Sequence, residues 1–250
     1  MSGITHFFLR SSSLLFDFAS RLFWRNTLDF SSSVYLTHMK YISVLLLLSL
    51  CLFSLSAQIP VEEETLHHVL YEDEEIRILE IIALPGDTAA IHQHNYNYCY
   101  ISTAGGKMWL EDEGEEGRTV NLPTHYAGGK FELNEAPFIH RFANIDTSLI
   151  SFFTVEHKLG KVTREVSGDL MEDNILTSKL FSIRKLRILP LSARSLPHQG
   201  TAVLLNLNKD SLLSSGNEKV VYWKCFDAQE LIQIQNMGKE TIDVALFEIF

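Results

Sequence analysis

The chain has 250 residues, 46% of them apolar, with 6 prolines and a formal net charge of −10. Such a composition can bury one large core or two small ones, and it excludes a chain disordered over most of its length. The acidic balance leaves no basic cluster, which excludes nucleic acid and anionic membrane surfaces as partners.

In chain order, the first 57 residues differ in character from the rest and read as processing sequence. Met39-Lys40 precede "YISVLLLLSLCLFSLSA", which supplies a basic residue, an apolar run and the small Ala57 before Gln58. This is the pattern of a secretory signal peptide. An uncleaved anchor is the alternative, since Tyr41 to Ala57 sits at the short edge of a membrane-spanning helix. A lipid-anchored Cys51 fits less well, because Leu50 is bulkier than the small residue such sites carry. Residues 1–38 have no role upstream of a signal peptide, so translation is expected to begin at Met39. An organelle-targeting extension is the competing reading. Loss of residues 1–57 removes Arg10, Arg21, Arg25 and Lys40 with Asp17 and Asp29, leaving 17 basic against 29 acidic residues, a net of −12. The expected product is exported, periplasmic or extracellular, and has no stable membrane association after cleavage. Cys99 and Cys225 remain, and export would permit them to pair, but sequence alone cannot bring them within bonding distance.

From Glu74 to Glu156 the chain is a succession of short segments rich in Ile, Val, Phe and Tyr. They are separated by "PGD", "AGG", "EDEGEEG", a second "AGG" and "NID". Short strands with frequent turns predict an all-β sandwich or barrel. "EIRILEII" and "SLISFFTV" are apolar on both faces, as expected of strands inside a two-layer structure, and "EDEGEEG" reads as a solvated hairpin tip.

Past residue 157 the texture repeats. "IRILEIIALPGDTAAIHQH" is echoed by "IRKLRILPLSARSLPHQG", and "NIDTSLISFFTVE" by "NMGKETIDVALFEI". Asn144 precedes Glu156 by the same interval that separates Asn236 from Glu248. This self-similarity predicts duplication of one β domain. The expected organisation is a first domain over 58–157, a linker over 158–178 and a second domain over 179–250.

The stretch "HQHNYNYCY" at 92–100 places two imidazoles at positions i and i+2, which share one face of a strand. The spacing alone is uninformative in a chain with 10 histidines; its surroundings carry more. Gly86 lies six residues before His92 and Gly105 eleven after His94, and "GKFELNEAPFIHRFAN" follows from Gly129 to Asn144. These residues resemble the two signature motifs of the cupin superfamily, G-x5-H-x-H-x3,4-E-x6-G and G-x5-P-x-G-x2-H-x3-N. The chain departs from them at three places. Tyr98, or Cys99 at the longer spacing, occupies the glutamate position of the first motif. Glu135 and Pro137 occupy the proline and internal glycine positions of the second.

The resemblance implies a pair of jelly-roll, RmlC-like barrels, a bicupin arrangement following the N-terminal signal segment. It implies a divalent transition metal held by His92, His94 and His140, with iron, manganese, zinc and nickel not separated by these ligands. Three imidazoles on one side of an ion leave positions open for water or substrate. The missing carboxylate removes a negative charge, so a metal-free pocket stays open as an alternative. Tyr98 could ligate only as phenolate, which is costly at neutral pH; Tyr98 and Tyr100 are therefore the candidate catalytic residues that orient substrate. Their competing reading, shared with Tyr96, is packed strand residues. Which of Tyr98 and Cys99 faces inward depends on the strand register. The string is also similar to the thiol dioxygenases, but "SLISFFTVE" lacks the further His and Tyr those enzymes use.

Glu135 and Asn144 are expected to be turn residues, with Glu135 a base only if its loop folds inward. In the second copy Ile232 stands where His140 stands in the first, and "PHQG" keeps only His198, so that copy is expected to be structural. The expected partner is a small-molecule ligand or substrate, and cupins are frequently dimeric, so a homodimer is implied unless the duplicated chain meets the same sheet pairing internally. Three function classes follow: a metal-dependent oxygenase, isomerase or lyase; a non-catalytic binder of a small ligand or sugar; and a structural or storage pair of barrels.

Overall fold

The computed structural model describes residues 58–133, 135–160, 174–228 and 230–250. The signal-peptide, anchor and Met39 readings fall on residues 1–57, outside the described residues, as do residues 161–173 of the expected linker. The first half carries β1 (Ile59–Pro60), β2 (His67–Glu72), β3 (Ile76–Ala83), β4 (His92–His94), β5 (Asn97–Ala104), β6 (Gly106–Asp112), β7 (Arg118–Leu122), β8 (Ala127–Lys130), β9 (Phe138–Asn144) and β10 (Ile150–His157). The second carries β11 (Asn174–Thr177), β12 (Phe181–Ile188), β13 (Ala193–Leu196), β14 (Thr201–Asn206), β15 (Leu213–Ser215), β16 (Glu218–Lys219), β17 (Trp223–Phe226), β18 (Ile232–Asn236) and β19 (Ile242–Ile249). The strand β11 therefore occupies residues inside the expected linker. No α-helix is formed by the described residues.

The strands form two sheets per half. In the first half the orders are β1-β4-β9-β6-β7 and β2-β3-β10-β5-β8. In the second they are β13-β18-β15-β16 and β11-β12-β19-β14-β17. Matching β2, β3, β10, β5 and β8 with β11, β12, β19, β14 and β17 superimposes one order on the other, and β4, β9, β6 and β7 match β13, β18, β15 and β16, leaving β1 without a counterpart. The shared asparagines anchor this match. Asn144 donates through Nδ2 to the carbonyls of Ala83 and Ser148, while its Oδ1 accepts from Asp146 N–H. Asn236 does the same with Ile188, Glu240 and Gly238. Each side chain thus satisfies backbone groups that the turn leaves unpaired.

Three apolar cores follow from the alternation of side chains along these strands. Leu79, Ile81, Phe142 and Phe152 fill part of the first barrel's interior, and Leu186, Ile188, Leu204 and Leu246 fill the second. The opposite faces of β3, β5 and β10 carry Ile78, Cys99, Ile101 and Phe153, which pack with Ile183, Val203 and Phe247 of the second half. That contact between barrels is why "EIRILEII" and "SLISFFTV" are apolar on both faces. Cys99 and Cys225 are free thiols.

Two separators behave differently from the sequence reading. The first, the pair Asn95-Tyr96, breaks the period-2 run: β4 belongs to one sheet and β5 to the other. Tyr96 lies under the Arg77 guanidinium, 5.3 Å from its ring centre. The second, "AGG" at 127–129, is not a turn but most of β8. A Cβ at Gly128 would come within 2.6 Å of the Tyr100 hydroxyl, so the missing side chain is what lets the tyrosine cross the strand.

Candidate metal and ligand site

The histidines converge because the sheet pairs the strands that carry them. His92 on β4 stands opposite His140 on β9, and His94 opposite Phe138. Their ring centres are 4.4 Å apart for His92 and His140, 5.2 Å for His92 and His94, and 5.2 Å for His94 and His140. A fourth imidazole joins them. His67, at the start of β2, lies 4.5 Å from His92 and 5.9 Å from His94. The ligand atoms of His67, His92 and His94 all lie within 4.8 Å of one another, so these three buried histidines can hold a metal ion. His140 lies outside that grouping, on the far side of His92, with its ring stacked at 4.6 Å on Phe138.

Each ring of the group is oriented from behind. His67 Nδ1 meets Glu64 Oε2 at 2.6 Å, His92 Nδ1 the Ala90 carbonyl at 2.8 Å, and His94 Nδ1 Glu156 Oε1 at 3.1 Å. A carbonyl or ionised carboxylate oxygen can only accept, so on His67 and His92 Nδ1 carries the proton, leaving Nε2 to face the cluster, the arrangement by which metal-binding imidazoles are fixed. Glu156 is itself held by Arg77 at 3.1 Å, and Arg77 is shared with Glu62 and Glu72.

Burial sets the protonation of the group. It pushes the His92 pKa down to about 4, with the neighbouring His67 adding to the effect. Burial, then the other imidazoles, hold His94 and His140 well below the usual histidine range. These rings are therefore neutral at pH 7, as ligation requires. Burial raises Glu156 to about 7, outweighing the attraction of Arg77. Glu64 moves the other way: burial alone would raise it, but hydrogen bonds from His67 and from the Leu66 and Ala90 N–H groups bring it down to about 2.

The donor set fits a metal. His92 Nε2 and both ring nitrogens of His140 are buried without a hydrogen-bond partner. Buried polar atoms in that state are costly, and a ring nitrogen without a hydrogen-bond partner is one that can serve as a metal ligand.

Beside the imidazoles a cavity of about 160 Å³ opens in the barrel, lined by Tyr98, Tyr100, Met108, Phe138 and Phe152 among others. Tyr98 and Tyr100 both face it, and Cys99 faces the other way, into the contact between barrels. The register thereby settles the alternative left open by the sequence. Burial holds the Tyr98 phenol well above its ordinary pKa and raises Tyr100 to about 12, so both remain hydrogen-bond donors. Glu135 is an exposed loop residue whose N–H bonds to the Glu132 carbonyl.

In the second barrel the partner of Ile232 is Leu196, standing where His92 and His140 pair in the first. Both are fully buried in an apolar interior. Each ring nitrogen of His198 faces a backbone carbonyl, Nδ1 that of Gly200 and Nε2 that of Glu230.

Paired jelly-roll barrels, one of them enclosing an imidazole cluster, give the chain the cupin fold. Among solved structures it is similar to a salicylate 1,2-dioxygenase from Pseudaminobacter salicylatoxidans, with TM-score 0.52 at 9% identity over 83% of this chain and 82% of that one. It is also similar to AerE from Microcystis aeruginosa, with TM-score 0.51 at 11% identity over 74% and 97% of the two chains. YhhW from Escherichia coli gives TM-score 0.51 at 10% identity over 75% and 89%. No protein-family model and no curated protein sequence matches the chain.

Proposed function

We propose that the first barrel is a metal-dependent site acting on a small molecule, as an oxygenase, isomerase or lyase, and that the second barrel supports it structurally. His92 and His94 would hold the ion with His67, whose ligand atoms lie close to theirs, and with His140, the third histidine that the family resemblance implies; His67 is an imidazole the cupin motifs do not contain. The observation that carries this reading is the cluster of buried imidazoles with Nδ1 engaged on His67, His92 and His94 and with unpartnered nitrogens on His92 and His140. Leu196 and Ile232 support the contrast, because the same fold without chemistry fills this position with apolar side chains.

A bound divalent ion would supply Lewis-acid polarisation of a ligand oxygen. The chain's own groups would do the rest. Glu64 and the Ala90 carbonyl orient His67 and His92 through Nδ1, and Glu156 positions His94. Tyr98 and Tyr100, kept protonated, donate hydrogen bonds to a bound molecule and orient it. The apolar wall excludes water, which strengthens those bonds. One structural neighbour, a salicylate 1,2-dioxygenase variant, was crystallised with gentisate, which supports a small-molecule ligand.

Metal analysis after reconstitution, with His92→Ala and His94→Ala as controls, tests the reading. If the protein holds metal, oxygen consumption with phenolic, thiol and keto-acid substrates then addresses the reaction class. Uptake that is unchanged in both variants would refute the assignment. Export belongs to the same proposal and rests on the sequence from Lys40 to Gln58; N-terminal sequencing of the cellular protein checks it.

A further inference from the structure

The charges around the cavity do not cancel. Arg118 is paired with Asp112 at 3.0 Å and reaches Glu115 at 3.4 Å. Lys130, paired across the sheet with Tyr98, also lines the cavity and has no carboxylate partner among the described residues. Its ammonium instead lies 3.9 Å from the centre of the Phe138 ring. Phe138 also stacks on His140, so one aromatic ring contacts both Lys130 and the imidazole cluster. A cation at the edge of an apolar cavity, set over a ring and without a carboxylate partner among the described residues, keeps its donors free for an anion.

The remaining walls limit what can bring that anion. About 160 Å³ is the size of a cavity known to accept one benzene-sized molecule. Tyr100, Met108, Leu110, Phe142 and Phe152 offer apolar surface and no further cation. Asp112 Oδ1 is buried with no partner, so it repels a second carboxylate and accepts only a donor.

We propose that the cavity selects a small monocarboxylate whose body is a single ring or a branched chain of that size, with its carboxylate on Lys130 and its body against the tyrosine and phenylalanine wall. This deepens the reading of the cavity as the ligand site and rests on it. Lys130 is then a specificity residue that decides which molecules reach the imidazoles.

The test compares benzoate, benzyl alcohol and succinate by calorimetry on the full chain, for wild type, Lys130→Met and Lys130→Arg. Benzoate is expected to bind wild type about tenfold or more tighter than benzyl alcohol, the size of a charge-assisted hydrogen bond. Lys130→Met is expected to lose that difference while leaving benzyl alcohol unchanged, Lys130→Arg to retain it, and succinate to bind weakly throughout. Thermal melting of the variants separates a folding defect from a binding one. Equal affinity for benzoate and benzyl alcohol in wild type overturns the proposal, and so does full benzoate affinity in Lys130→Met. Metal content is measured on the same samples. Protein that takes no metal but binds benzoate through Lys130 keeps this proposal and removes the metal reading. Metal-loaded protein indifferent to the carboxylate does the reverse.

Discussion

Replacing Glu64 with glutamine probes the support behind His67. Glu64 is buried and accepts hydrogen bonds from His67 Nδ1 at 2.6 Å, Leu66 N–H at 2.9 Å and Ala90 N–H at 3.3 Å. These bonds outweigh the cost of burial and bring its pKa from 4.5 to about 2. At roughly 1.4 kcal/mol per unit, the folded state gains on the order of 3 kcal/mol from the ionised form at neutral pH. Because the folded pKa lies below the unfolded one, that gain is fully present above pH 4.5 and is lost as pH falls through about 2. Glutamine keeps the shape and one acceptor but not the charge. Urea denaturation of metal-free protein should therefore show Glu64→Gln less stable than wild type by about 2–3 kcal/mol at pH 7, with the gap closing toward pH 2. Equal stabilities at pH 7, or a gap indifferent to pH, would refute the reasoning.

Glu156 behaves in the opposite sense. Its folded pKa is raised to about 7, so wild type loses stability as pH climbs from 4.5 through 7, and Glu156→Gln should flatten that limb in the same denaturation series. Copying the second barrel's pair into the first, as His92→Leu with His140→Ile, replaces buried unpartnered nitrogens with apolar atoms. The doublet should melt several degrees higher than metal-free wild type while abolishing metal uptake; a lower melting point would contradict the account of those nitrogens. Phe153→Ala empties a fully buried ring site between the barrels and should cost about 3–5 kcal/mol by denaturation.

Much of this was legible in the sequence, and the reasons for the remainder are physical. The turn residues and the repeated Asn-to-Glu interval exposed the duplication because each asparagine closes the same turn with its own side chain. His92, His94 and His140 stood out through their spacing from glycines, and β4 and β9 set His92 opposite His140 and His94 opposite Phe138. His67 did not, because nothing local marks it: its neighbour in "LHH" is exposed, and its role appears only when β2 folds beside β4 with Glu64 behind it. The same holds for Glu156 and Arg77, whose carboxylate and guanidinium meet across sheet partners 79 residues apart. "AGG" at 127–129 looked like a turn because glycine usually marks one, whereas here it makes room for Tyr100.

The most direct check is the metal content of the purified protein after reconstitution with iron, manganese, zinc and nickel in turn. The account predicts about one equivalent of a divalent ion, retained through dialysis and lost in His92→Ala and in His94→Ala. Less than about a tenth of an equivalent with every ion, or equal binding by both variants, would contradict it.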